Sequence, residues 1–126
     1  MHTIDEQELK EALDQWLKAE RNVVATQREL SVVRDRCPDR PQRATVEEWN
    51  VYVLLRSVYD CEVHESEVQY SQATERAYEC QRVLHGWLPS GVWIECGDWL
   101  LRKVCKSYYG YMLESKPLVE EEGKDE

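Results

Sequence analysis

Glycine is absent from the chain before Gly86, and Pro38 and Pro41 are the only prolines before that point. Glycine and proline are the residues least compatible with a helix interior, so two long stretches on either side of Cys37-Pro38-Asp39-Arg40-Pro41 are free to be helical. Each stretch opens with the same start signal, Thr3-Ile4-Asp5-Glu6 and Thr45-Val46-Glu47-Glu48. In such a capping box the threonine oxygen accepts from a backbone N–H of the first turn, while the glutamate accepts from the threonine N–H. The pattern predicts a mainly α fold: a long antiparallel helical hairpin, coiled-coil-like, with helices over 4–36 and 45–86 and a bend over 37–44.

The second stretch carries an unbroken 4-3-4-3 spacing through Tyr52, Arg56, Tyr59, Val63, Ser66, Tyr70, Ala73, Ala77, Cys80, Leu84 and Trp87. Such a heptad seam marks knobs-into-holes packing. The first stretch offers a matching seam at Leu9, Leu13, Trp16, Glu20, Val23, Gln27 and Leu30. Folding about the bend makes the helices antiparallel, and facing residues are expected to have numbers summing to about 82. Leu30 then meets Tyr52, Trp16 meets Ser66 and Leu9 meets Ala73, large against small as interdigitation favours. Arg56 would reach Gln27 or Glu20 and help set the register; the alternative is that it extends to water.

A second apolar stripe, Val46, Val51, Leu54, Leu55 and Val58, with Val24, Val32 and Val33 on the first helix, lies near the bend. Two helices need one stripe each, so the surplus calls for a cover. The C-terminal segment, a second copy or a foreign protein could supply it. A second copy is favoured, because a homodimeric four-helix bundle covers the stripe with itself, and this assigns self-association to Val51, Leu54, Leu55 and Val58.

Beyond Gly86 the composition changes. Trp87-Leu88-Pro89-Ser90-Gly91 is a stop-and-turn signal. Val92-Trp93-Ile94-Glu95-Cys96 and Trp99–Cys105, joined by Gly97-Asp98, predict a β-hairpin. A third strand is expected at Tyr108–Leu113, giving a small β-rich appendage over 92–114. A helix capped by Asp98 is the competing reading, since Leu101, Val104, Cys105, Tyr108 and Met112 also fit a 3.6-residue period. Residues 1–115 thus form one domain, and 116–126, with Glu120-Glu121-Glu122, an acidic disordered tail.

The formal net charge is -9, unevenly spread. Residues 21–43 hold six arginines against three acids, whereas residues 44–80 hold eight acids against two bases. An acidic body disfavours direct binding to nucleic acid and favours cationic partners. There is no apolar run of the ~20 residues a membrane span requires, and the acidic N-terminus does not resemble a signal peptide. A cytoplasmic protein is expected, with five cysteines kept as thiols.

No catalytic constellation emerges. Cys61 and His64 share a helix face, but tetrahedral zinc needs further ligands and no second pair has comparable spacing. Cysteine and histidine are not placed in a nucleophile elbow, and no phosphate loop, HExxH or calcium loop is present. The expectation is a non-enzymatic protein with no cofactor and no metal.

Two binding roles follow. In the first, the chain is a protein–protein interaction module, an adaptor or regulator built on a dimeric hairpin, with Trp93, Trp99 and Tyr109 of the aromatic tail meeting a partner. In the second, it is an acidic nucleic-acid mimic, such as a phage-encoded inhibitor of a host nucleic-acid-binding defence protein. Glu62, Glu65, Glu67, Glu75 and Glu79, with Asp5, Glu8 and Glu11, would then face a basic groove. Against both stands the simpler reading that the aromatics close the protein's own core and the acids form a solvated surface.

Overall fold

The computed structural model describes residues 4–105 and 111–119. Two long helices, α1 (Glu6–Arg34) and α2 (Val46–Trp87), pack antiparallel. A three-stranded antiparallel sheet follows, β1 (Ile94–Cys96), β2 (Trp99–Cys105) and β3 (Tyr111–Pro117), in the order β1-β2-β3. The chain divides into two compact units, Glu20–Glu75 and a second that joins Met1–Ala19 to Arg76–Glu126.

Helix α2 begins as its sequence predicts. The Thr45 N–H donates to Glu48 Oε1 at 2.9 Å and the Glu48 N–H donates to Thr45 Oγ1 at 3.1 Å, closing the capping box. These bonds to Thr45 hold the Glu48 carboxyl below its usual pKa. Helix α1 begins differently. Its cap is Asp5, whose Oδ1 accepts from the N–H groups of Gln7 at 2.9 Å and Glu8 at 3.2 Å. Aspartate ranks above threonine as an N-cap, and its charge also complements the helix dipole. Thr3, the expected cap, lies outside the described residues.

In the unit Glu20–Glu75, the α2 seam turns inward as predicted. Tyr52, Tyr59, Val63, Ser66, Tyr70 and Ala73 are buried or half-buried, and Arg56 is exposed. On α1, Val23 and Leu30 hold their predicted places, but Gln27 is exposed and Thr26 points inward, with Val33 extending the line. Glu20 is exposed as well, with Ala19 buried beside it. The inward line of α1 thus steps from Trp16 to Ala19 and then runs through Val23, Thr26, Leu30 and Val33, residues with no charge to desolvate. The Thr26 hydroxyl is satisfied by its own helix, at 2.9 Å from the Asn22 carbonyl oxygen and 3.1 Å from that of Val23.

The register departs from expectation. Tyr59 donates its hydroxyl to the Arg34 carbonyl oxygen at 3.3 Å, and Arg56 Nη1 lies 3.9 Å from Cys37 Sγ. Facing numbers therefore sum to about 93 rather than 82. The difference is close to three helical turns, which returns the same face to the partner. Arg56 accordingly reaches neither Gln27 nor Glu20. Its Nε donates to Asp60 at 3.0 Å, and its guanidinium lies 5.4 Å from the Tyr59 ring centroid. The first three turns of α2 extend past the end of α1 and run beside the connecting segment, where the Arg40 guanidinium lies 5.7 Å from the Trp49 ring centroid.

The other unit holds the densest core. Leu9, Leu13 and Trp16 from α1 meet Leu84 of α2, Leu88 beyond its end, and Cys96 and Leu101 from the sheet. Leu9 thus packs with Leu84, not opposite Ala73. Arg76 Nη2 donates to Gln15 Oε1 at 3.2 Å, a pair consistent with the same register. Strands β1 and β2 are joined by a two-residue turn, with Cys96 paired to Trp99 and Gly97 at φ 60°. Asp98 has no positive φ, so the turn is type II′, which requires glycine at its first central position. The strand reading of Trp99–Cys105 therefore holds over the helical one. Of the expected third strand, Tyr111–Leu113 lie in β3, whereas Tyr108, Tyr109 and Gly110 lie outside the described residues. β3 continues to Pro117, past the expected start of the tail at 116, and the Leu118 N–H donates to the Asp98 carbonyl oxygen at 2.8 Å. Pro117 is tolerated because it closes a strand at the sheet edge.

Candidate functional site

The candidate site lies at the start of α2. Residues Val46–Tyr59 of α2 include Val46, Trp49, Val51, Tyr52, Val53, Leu54, Leu55, Val58 and Tyr59, an apolar helix on nearly every side. A helix of that kind is normally buried. Here Val46 is 77% exposed, Leu54 67%, Val58 58%, Val51 56% and Leu55 54%. Val51 and Val58 each precede a seam tyrosine by one residue, which turns them about 100° round the helix from the packed side. The side chains assigned to self-association by sequence are therefore brought together on one open face.

Trp49 and Val53, at 39% and 45% exposure, extend the apolar surface round the opposite flank. Neither was predicted. The signal for Val53 is that apolar residues fill consecutive positions 51–55, broader than any single stripe. Val24 and Val32 of α1 are exposed singly, as is ordinary for a protein surface. Val33 belongs to the packed line instead, at 5% exposure.

The open face is bounded by carboxylates. Glu47 stands one turn before Val51 and Glu62 one turn after Val58, and both are exposed. Glu65 continues the same side. The remaining members of the predicted acidic face are scattered. Glu67 is turned roughly 140° from Glu62 and pairs with Arg34 at 2.9 Å. Glu79 pairs with Arg82 at 2.9 Å, and Glu75 is exposed. Asp5, Glu8 and Glu11 are exposed at the start of α1, with Asp5 engaged as the cap.

The aromatic tail is engaged within the protein where it is described. Trp99 packs against the core cluster. The Trp93 ring is flanked by the Arg102 guanidinium and the Lys116 ammonium, at 4.6 and 4.5 Å from its centroid. Arg102 is in turn paired with Glu114. Tyr109 lies outside the described residues.

Chemistry-bearing groups are dispersed. Cys61 and His64 border a shallow depression with Asp60, Glu65 and Val68. Among the described residues, no three Cys, His, Asp or Glu side chains converge to hold a metal ion. A groove of about 640 Å³ at the start of α1 is lined by Ile4, Glu8, Trp87, Leu88 and Pro89 together with the capping Asp5. Burial pushes the Cys96 thiol up, which keeps it protonated inside the core. No helix among the described residues is long and apolar enough to cross a membrane. Compared with protein-family models, curated proteins and solved structures, the chain matches none of them.

Proposed function

We propose that this protein is a non-enzymatic protein–protein interaction module that self-associates through the first three turns of α2. The observation that carries this reading is the apolar face at the start of α2, where Val51, Leu54, Leu55 and Val58 are each more than half exposed. A solvated helix gains nothing from Val51, Leu54, Leu55 and Val58 at these positions, whereas an interface does. Burying the exposed part of four such side chains on each of two copies returns roughly 6–12 kcal/mol. Association costs an estimated ~4–15 kcal/mol, so this face alone supports a reversible dimer rather than a permanent one. As an adaptor or regulator, the dimer would present the rest of its surface to another protein.

Mimicry of nucleic acid draws less support. It needs a continuous run of free carboxylates, and Glu67 and Glu79 are each paired with an arginine.

Replacing Leu55 by Glu tests the reading. The variant is expected to remain helical and soluble and to sediment as a monomer at concentrations where the parent dimerises. A variant that dimerises like the parent would remove this face from self-association.

A further inference from the structure

The open face of α2 is a chemical palindrome. Counting outward from the point between Leu54 and Leu55, the side chains met on that face are leucine, valine and glutamate in both directions: Leu54, Val51 and Glu47 one way, Leu55, Val58 and Glu62 the other. Val51 and Val58 are 56% and 58% exposed, and both glutamates are exposed too. Two antiparallel helices related by a twofold axis place each residue opposite the one equally far from the axis on the other side. On a palindromic face such an isologous contact sets each residue against another of its own type.

Resting on the self-association proposed above, we infer that two copies pair their α2 helices antiparallel about an axis between Leu54 and Leu55, with Glu47 of each copy opposed to Glu62 of the other. Val51 then meets Val58 of the second copy and Leu54 meets Leu55, a continuous apolar centre. A parallel pairing would set each side chain against itself, and register shifts of one turn would set Val51 or Val58 against a glutamate. Among antiparallel registers the palindrome is the one that keeps every apolar group on an apolar group, and charge reversal distinguishes it from the parallel pairing. Its cost is two like-charge contacts, one at each end of the centre. Self-association is thus restrained by carboxylates and strengthens as salt screens them.

Charge reversal reads the orientation. In sedimentation velocity at about 20 and 300 mM NaCl, the unmutated protein is expected to associate several-fold more tightly at the higher salt. Glu62→Lys places a lysine opposite Glu47 twice per dimer, and it should tighten association roughly tenfold at low salt, with a reversed salt dependence. Glu47→Lys should do the same from the other side of the contact. The double variant Glu47→Lys/Glu62→Lys restores like charges and should return to the unmutated affinity. Circular dichroism of each variant verifies that α2 is intact. Single reversals that leave association unchanged would overturn the antiparallel pairing, as would a double variant tighter than either single. If Leu55→Glu still abolishes the dimer in that case, self-association stands and only its geometry fails. An unmutated chain that stays monomeric at every concentration and salt overturns both.

Discussion

Tyr59 donates its hydroxyl to the carbonyl oxygen of Arg34, the last residue of α1, at 3.3 Å. This contact marks where α1 ends against α2, more than three turns in from the start of α2 at Val46. N-terminal to it, α2 runs beside the connecting segment, where the Arg40 guanidinium lies 5.7 Å from the Trp49 ring centroid.

The two ends of α2 should respond oppositely to truncation. Leu84 is fully buried in the core with Leu9 and Leu13, so Leu84→Ala is expected to destabilise the fold by about 2–5 kcal/mol in urea unfolding. Leu54, at 67% exposure, should tolerate alanine with little loss of folding stability. Leu54→Ala should instead weaken self-association. Equal effects of the two substitutions on unfolding would contradict the assignment of core and surface.

The start of α2 depends on the Thr45 cap. Thr45→Ala removes the hydroxyl that accepts from the Glu48 N–H and is expected to cost about 0.5–2 kcal/mol. It should also raise the Glu48 pKa, but only part of the way, because the backbone N–H of residue 45 that chiefly lowers it survives the substitution; NMR titration can follow this. Because that pKa is lowered in the folded state, its stabilising contribution is present above the usual glutamate range and is lost as pH falls through the folded value. A Glu48 pKa returned fully to the ordinary carboxyl value by Thr45→Ala would show that the backbone N–H does not hold it.

How much of this was readable beforehand differs by element. The α2 seam was legible because Tyr59, Val63, Ser66, Ala73 and Leu84 repeat over many turns, and a long repeat leaves one face to bury. The Gly97-Asp98 turn was legible for a local reason, the glycine at its first central position. Register was not. Sliding the partner by three turns keeps the same seam inward, and Trp16 opposite Ala77 satisfies large-against-small packing as well as Trp16 opposite Ser66. The site residues Val51, Leu54, Leu55 and Val58 could be named from surplus hydrophobicity alone. Their place off the packed side could be read as well, since Val51 and Val58 each precede a seam tyrosine by one residue. Trp93 and Trp99 looked like partner anchors because burial by the protein's own Arg102, Lys116 and core leaves no periodic mark in so short a segment.

His85 makes stability sensitive to mild acid. Burial, then the nearby Lys103 ammonium, hold its pKa below the ordinary 6.5, while Lys103 also donates to the His85 carbonyl oxygen at 3.3 Å. A base with a depressed folded pKa binds a proton more readily when unfolded. Its contribution is therefore complete above pH 6.5 and is lost as pH falls through the folded value. Urea unfolding at pH 7.5 and 5.5 (about one unit either side of the ordinary value) should show a larger loss for the unmutated chain than for His85→Gln. Equal losses would mean that His85 does not carry the effect.

The most direct measurement is light scattering behind size exclusion across a range of loading concentrations. The account predicts a mass that rises with concentration from 15.0 kDa toward twice that value, and further at high salt. A mass fixed at 15.0 kDa across all concentrations would contradict it, because the apolar turns of α2 would then stand in water with no second copy to cover them.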